Sequence, residues 1–127
     1  VLGGVVASDG FAKYAGQFKG SKYVKGIRQV LQADSTPPGT CLKPEFVKGV
    51  RLLGDLGLSF DLCIRPKELP DFIKLVDECP DTRFILDHCG NPQAKWTADE
   101  WDGWRKNMAE MAKRKHVVCK VSGFVVN

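Results

Sequence analysis

The chain has 127 residues, of which 43% are hydrophobic and 27% charged, a balance that suits one ordered domain or part of one and excludes a disordered polar chain. Its formal net charge is +4, only mildly basic. The cluster Lys13, Lys19, Lys22 and Lys25 and the run Lys113-Arg114-Lys115 read as solvated faces and a match to a helix dipole; without interleaved aromatics they do not make a nucleic-acid surface.

Residues 2–7 are apolar and valine-rich, which predicts a short buried strand, and Ser8-Asp9-Gly10 supplies a turn or N-cap. Phe11, Tyr14, Ala15 and Phe18 recur at helical spacing. A second strand is expected over residues 23–28, with Arg28 towards its carboxyl end. The loop over residues 32–40, with Pro37, Pro38 and Gly39, is long for a strand-to-helix connection, and such loops usually have a function. Phe46, Val50, Leu53 and Leu56 mark the next helix, and Gly57 sits where a C′ glycine belongs. Residues 58–64 read as a third strand interrupted by Asp61.

Leu69, Phe72, Val76 and Cys79 stripe a helix that must begin near Leu69, because Pro70 fits only its first turn. The fourth strand is expected over residues 83–88, where an apolar run ends on Asp87 and His88 before Gly90-Asn91-Pro92 turns the chain away. Thr97-Ala98-Asp99-Glu100 is a capping-box pattern, followed by Trp101, Trp104, Met108 and Met111 on one helical face, read as core. Residues 116–124 hold a fifth strand that carries Lys120 and leads into Ser122-Gly123.

Strands alternating with amphipathic helices predict an α/β fold with a parallel sheet. Two architectures fit: a partial (β/α)8 TIM-type barrel of about five units, or a five-stranded doubly wound sheet. In both, strand carboxyl ends face the ligand, which gathers Arg28, Asp61, Arg65, His88 and Ser122 near one edge. Each has a plain structural use when taken alone; their recurrence in successive units points to a site. Strict alternation from His88 would turn Asp87 and Cys89 to the opposite face and set Lys120 and Ser122 on a shared one. His116 precedes its strand, at the far edge. His88 is the one candidate metal ligand, too few for a site, and Leu2-Gly3-Gly4-Val5 lacks the spacing of a phosphate loop.

Five cysteines (Cys41, Cys63, Cys79, Cys89 and Cys119) form an odd set without a C-x-x-C pair, three of them inside apparent strands. That usage suits a reducing compartment such as the cytoplasm. No apolar run of about 18 residues predicts a membrane span. The first six residues are too short and lack the basic leader of a signal peptide. The chain starts without Met in what reads as mid-strand, so an interior segment of a longer protein is expected.

Lys25-Gly26-Ile27-Arg28, Leu58-Ser59-Phe60-Asp61-Leu62, Asp87-His88-Cys89-Gly90-Asn91-Pro92 and Cys119-Lys120-Val121-Ser122-Gly123 follow one another in an order and spacing that resembles the amidohydrolase-related family of lactonase type. That family includes 2-pyrone-4,6-dicarboxylate and sugar-acid lactonases. The resemblance implies a (β/α)8 barrel of which residues 1–127 are an interior part, and a hydrolase that opens a lactone by attack of water. By it, His88 polarises the substrate carbonyl and Arg28 holds an anionic or polyhydroxyl substrate, a small-molecule carboxylate or sugar-acid lactone. Asp61 and Lys120 match supporting or substrate-binding positions. The family's first-strand His-x-His and last-strand aspartate base have no counterpart among these residues. The segment alone is therefore expected to be inactive, and a divalent metal such as zinc stays open for the complete protein. The alternative is a non-catalytic five-stranded α/β binding module.

Overall fold

The computed structural model describes residues 1–123. Five strands, β1 (Leu2–Gly3), β2 (Gly26–Val30), β3 (Ser59–Cys63), β4 (Phe84–Leu86) and β5 (Val117–Cys119), form one sheet in the order β1-β2-β3-β4-β5. Every neighbouring pair is parallel. The helices between them are α1 (Phe11–Gly16), α2 (Pro44–Asp55), α3 (Leu69–Glu78) and α4 (Ala98–Met111).

That strand order decides between the two architectures. A doubly wound sheet reverses its order at a switch point so that helices cover both faces. Here each strand lies beside its predecessor, and crossovers of one hand then stack all helices on one side. The doubly wound alternative is thereby corrected to a segment of a barrel wall. Its outer face meets the helices and its inner face carries Arg28, Asp61, Asp87 and Lys120.

Local chemistry accounts for the helix limits. Pro44 opens α2 with Glu45 in its first turn, and Phe46, Val50 and Leu53 are buried along one stripe. The helix ends as a Schellman motif: Gly57 has φ 71°, its N–H donates to Gly54, and the Leu58 N–H donates to Leu53. Gly49 on α2 has no substitute, since a Cβ there would fall 2.1 Å from the Val6 carbonyl oxygen. Pro70 lies in the first turn of α3, preceded by a 3-10 turn over Pro66–Glu68. At α4 the capping box is complete: the Thr97 side chain accepts from the Glu100 N–H, and Glu100 accepts from the Thr97 N–H.

The core lies between the sheet and the helices. Ile27, Phe60, Leu62, Phe84 and Leu86 point outward from the sheet onto Phe46, Val50, Leu53, Phe72, Leu75 and Val76. Phe46, Phe60 and Phe84 stack edge to face with centroids 5.9 and 6.4 Å apart. Each large side chain so buried contributes about 1.5–3 kcal/mol relative to exposure. The α4 stripe is core only in part: Met111 is buried, Trp104 and Met108 pack against the core from half-buried positions, and Trp101 stacks between Trp96 and Trp104.

The strand limits differ from expectation in three places. Regular pairing of β1 stops at Gly3, because residues 4–7 turn under α2 with the Val6 N–H donating to the Gln29 side chain. Strand β2 runs from Gly26 to Val30, so Arg28 lies at its centre; Tyr23, expected in the strand, is exposed. Finally, β4 ends at Leu86. Asp87–Gly90 form a 3-10 turn in which His88 and Cys89 take left-handed conformations, φ 52° and 51°, so residues 87 and 88 are not extended.

Candidate active site

Register sets the inner face in two layers. Arg28, Asp61, Ile85 and Val118 are aligned across β2 to β5. One step of two residues further, Cys63, Asp87 and Lys120 follow, the last held by its N–H to the Leu86 carbonyl at 2.9 Å. Asp61 and Asp87 are 0% and 1% exposed, and the Lys120 ammonium bridges them, 2.8 Å from Asp61 Oδ2 and 2.7 Å from Asp87 Oδ1. Arg28 Nη1 stands 3.7 Å from Asp87 Oδ2, an ion pair too long for a hydrogen bond. Two carboxylates and two cations thus form a neutral cluster on an otherwise apolar wall, the arrangement that makes buried charge tolerable.

The cluster is not fully saturated. Asp61 Oδ1 and Asp87 Oδ2 are buried without a hydrogen-bond partner among the described residues. The bonds to Asp61 and then Asp87 hold the Lys120 ammonium above its ordinary pKa. Burial, and after it the Asp87 charge, pushes the Cys63 thiol up, while Arg28 acts against that rise.

These positions correct one expectation. Asp87 does not face away from the site: counted from Ile85 it lies on the inner face and is the cluster's centre. Its neighbour His88 owes its own direction to the left-handed turn and not to strand alternation. His88 Nδ1 sits 2.9 Å from Ser122 Oγ. Gly123, at φ 82°, passes so close that a Cβ there would lie 3.0 Å from the His88 Cβ. Cys89 lies in the turn, its N–H donating to the Lys120 carbonyl.

The predicted site residues therefore come together in two groups. Arg28, Asp61 and Lys120 meet around Asp87, and His88 pairs with Ser122 one residue further along the chain. Arg65 serves the rim differently: its guanidinium donates to Glu68 and to the carbonyls of Ala33 and Thr36, and so pins the long loop over residues 32–40. Asn91 is a rim residue that the sequence reading passed over. At φ 59° its side-chain amide donates to Gln32 and to the Ile64 carbonyl, which ties the ends of three strands. The Gly90-Asn91-Pro92 turn was its only signal. His116 has a structural place at the opposite end of the sheet, 3.1 Å from the Val76 carbonyl and edge-on to Phe84.

A one-sided wall of parallel βα units with polar groups at its carboxyl ends defines the class: part of a barrel enzyme fold. The match to known proteins is more specific. The amidohydrolase family model matches residues 2–126, and the chain belongs to that family. It is 32% identical over 106 residues to the uncharacterised protein y4mH of Sinorhizobium fredii, covering 78% of this chain and 35% of that protein. It is 29% identical over 117 residues to an L-fucono-1,5-lactonase of Burkholderia multivorans, covering 90% of this chain and 39% of that protein. A crystal structure of a Burkholderia multivorans amidohydrolase with bound zinc superposes with a TM-score of 0.85 at 26% identity, covering 97% of this chain and 43% of that one. The chain thus spans well under half the length of these relatives.

The described residues do not by themselves supply a metal site. Among the described residues no three His, Cys, Asp or Glu side chains gather as ligands, and the two carboxylates at the site hold an ammonium instead. Nor is any described helix long and apolar enough to cross a membrane.

Proposed function

We propose that the complete protein of which these residues form part is a hydrolase that opens a lactone, with a sugar-acid lactone or related small carboxylate as substrate. The observation that carries this reading is the placement of His88: a left-handed turn at the end of β4 sets its ring against Ser122, beside the Arg28–Asp87–Lys120–Asp61 cluster. The lactonase among the relatives supports it.

In this reading the Ser122 hydroxyl donates to His88 Nδ1, which leaves the ring proton on Nε2. That N–H donates to the lactone carbonyl oxygen and strengthens its bond as the oxygen gains charge. Arg28, half-exposed and loosely held by Asp87, binds the carboxylate or hydroxyls of the substrate. Lys120 holds Asp87 and Asp61 together and, with Arg28, keeps the inner wall neutral, so that the field at the carbonyl comes from the groups aimed at it. Water adds to the carbonyl carbon, the ring C–O bond breaks, and a carboxylate and a hydroxyl result. The base that takes the proton from water lies outside these residues by the family resemblance, so the 127-residue segment is inactive alone.

The test is acid release by the full-length protein from sugar-acid 1,5-lactones and from 2-pyrone-4,6-dicarboxylate. Turnover of a lactone by the wild type and a loss of about 10²–10³ in kcat for His88→Ala, with an unchanged circular dichroism spectrum, is the expected result. Equal rates for the variant, or no acid from any lactone, would overturn it.

A further inference from the structure

Five cysteines are free among the described residues, and two of them belong together. Cys89 follows His88 in the left-handed turn, and Cys119 closes β5. Leu86 and Cys119 are register partners, and the Cys89 N–H donates to the Lys120 carbonyl at 3.1 Å. Both thiols then converge on one oxygen: Cys89 Sγ lies 3.5 Å and Cys119 Sγ 3.8 Å from that same Lys120 carbonyl. Cys89 is buried and Cys119 exposed.

We propose that Cys89 and Cys119 are a reversible dithiol–disulfide site, a covalent clip between the turn that presents His88 and the strand that presents Lys120. The oxidant is a low-molecular-weight disulfide such as oxidised glutathione. The exposed Cys119, as thiolate, attacks one sulfur of the oxidant; that S–S bond breaks and one small thiol leaves. Cys89 then attacks the Cys119 sulfur, the protein disulfide forms, and the second small thiol leaves. Two protein thiols lose two protons and two electrons in total, and the small disulfide is reduced to two thiols.

The geometry assigns the order of events and the consequence. Among the described residues Cys119 is the more exposed of the two thiols, and Cys89 is held beside it as the resolving thiol. Partial desolvation, and after it the Cys89 thiol, push Cys119 up to about 11, so at neutral pH its thiolate is scarce and the exchange is slow. The pair therefore stays reduced unless the oxidant is sustained. Bond formation draws the sulfurs to about 2.05 Å, and the turn has little slack to follow: Cys89 stands at φ 51°, and its carbonyl accepts from Trp104 Nε1 at 2.9 Å. The other three cysteines are buried in separate places, with Cys41 and Cys79 pushed up to about 12 and about 11 by burial.

The experiment incubates the full-length protein with oxidised glutathione at mildly alkaline pH, beside Cys89→Ser and Cys119→Ser, and maps thiols by mass spectrometry without reduction. The expected result is one crosslink joining the peptides of Cys89 and Cys119, reversed by dithiothreitol. Cys89→Ser should stop at a glutathione adduct on Cys119, and Cys119→Ser should form no crosslink. An unresolved adduct in the wild type, a crosslink through Cys41, Cys63 or Cys79, or five thiols left free would each overturn the proposal. Because the readout is mass and not turnover, the result stands whether or not the protein opens lactones.

Discussion

Lys120 and Asp61 belong to strand positions separated by the whole width of β4, yet their side chains meet at 2.8 Å. The same ammonium also binds Asp87, at 2.7 Å. One ammonium thus staples three neighbouring strands across their inner face.

Removing it should be costly. Lys120→Met leaves two buried carboxylates facing each other with Arg28 as their remaining cation. Loss of one partner from a fully buried pair costs about 3–5 kcal/mol. Lys120 is 45% exposed, so water screens part of the attraction and a loss of about 1–3 kcal/mol is expected. Urea unfolding of the variant beside Asp61→Asn/Lys120→Met reads it: the double variant should recover part of the loss, because one orphaned charge is gone.

The same contacts set a limit on the alkaline side. The folded-state pKa of Lys120 is raised above the ordinary 10.5 by Asp61 and Asp87. The proton is bound more tightly in the folded chain, so this stabilisation is complete below about 10.5 and is lost as pH rises through the higher folded value. Denaturation midpoints from pH 9 upward should fall more steeply for the wild type than for Lys120→Met. Parallel curves would show that the raised affinity contributes nothing.

Gly123 controls how His88 sits. Alanine there would bring a Cβ to 3.0 Å from the His88 Cβ and 3.1 Å from its Nδ1, at a backbone φ of 82° that suits glycine. Gly123→Ala should shift the His88 ring resonances and weaken its bond to Ser122, at a stability cost of about 1 kcal/mol. An unmoved His88 spectrum in two-dimensional NMR would show that the ring has room to spare.

Thr97 is the local control. Its hydroxyl accepts from the Glu100 N–H at 3.3 Å, and the Glu100 carboxylate is held below its usual range by the Thr97 N–H and hydroxyl. Thr97→Ala should cost about 1 kcal/mol in thermal or urea unfolding and leave the inner-face cluster intact, since α4 lies on the outer side of the sheet.

The features that could be read in advance share a short range. The capping box at Thr97, the Schellman glycine at 57, the proline in the first turn of α3 and the alternation of strands with helices each depend on residues a few places apart, and all stand in the structure as read. The inner-face residues were also visible, because charge inside an apolar strand is costly unless something pairs with it; Arg28, Asp61 and Lys120 were singled out on that ground.

Three things escaped that reading. The direction of Asp87 was reversed by counting from His88, whose left-handed φ breaks the alternation; counting from Ile85 within the strand recovers it. The approach of Cys89 to Cys119 needs β4 and β5 to be neighbours in a known register, and the tie made by Asn91 needs three strand ends side by side.

By itself, then, the order of residues determined which segments become helices and strands and which polar groups are forced into apolar company, because backbone preference and period act over a turn or two of chain. Tertiary structure alone decided that the strands lie in sequential order and that Lys120 answers Asp61 and Asp87 together. Those outcomes depend on pairings across 30 to 60 residues, where register sets the distance and the intervening sequence carries no trace of it.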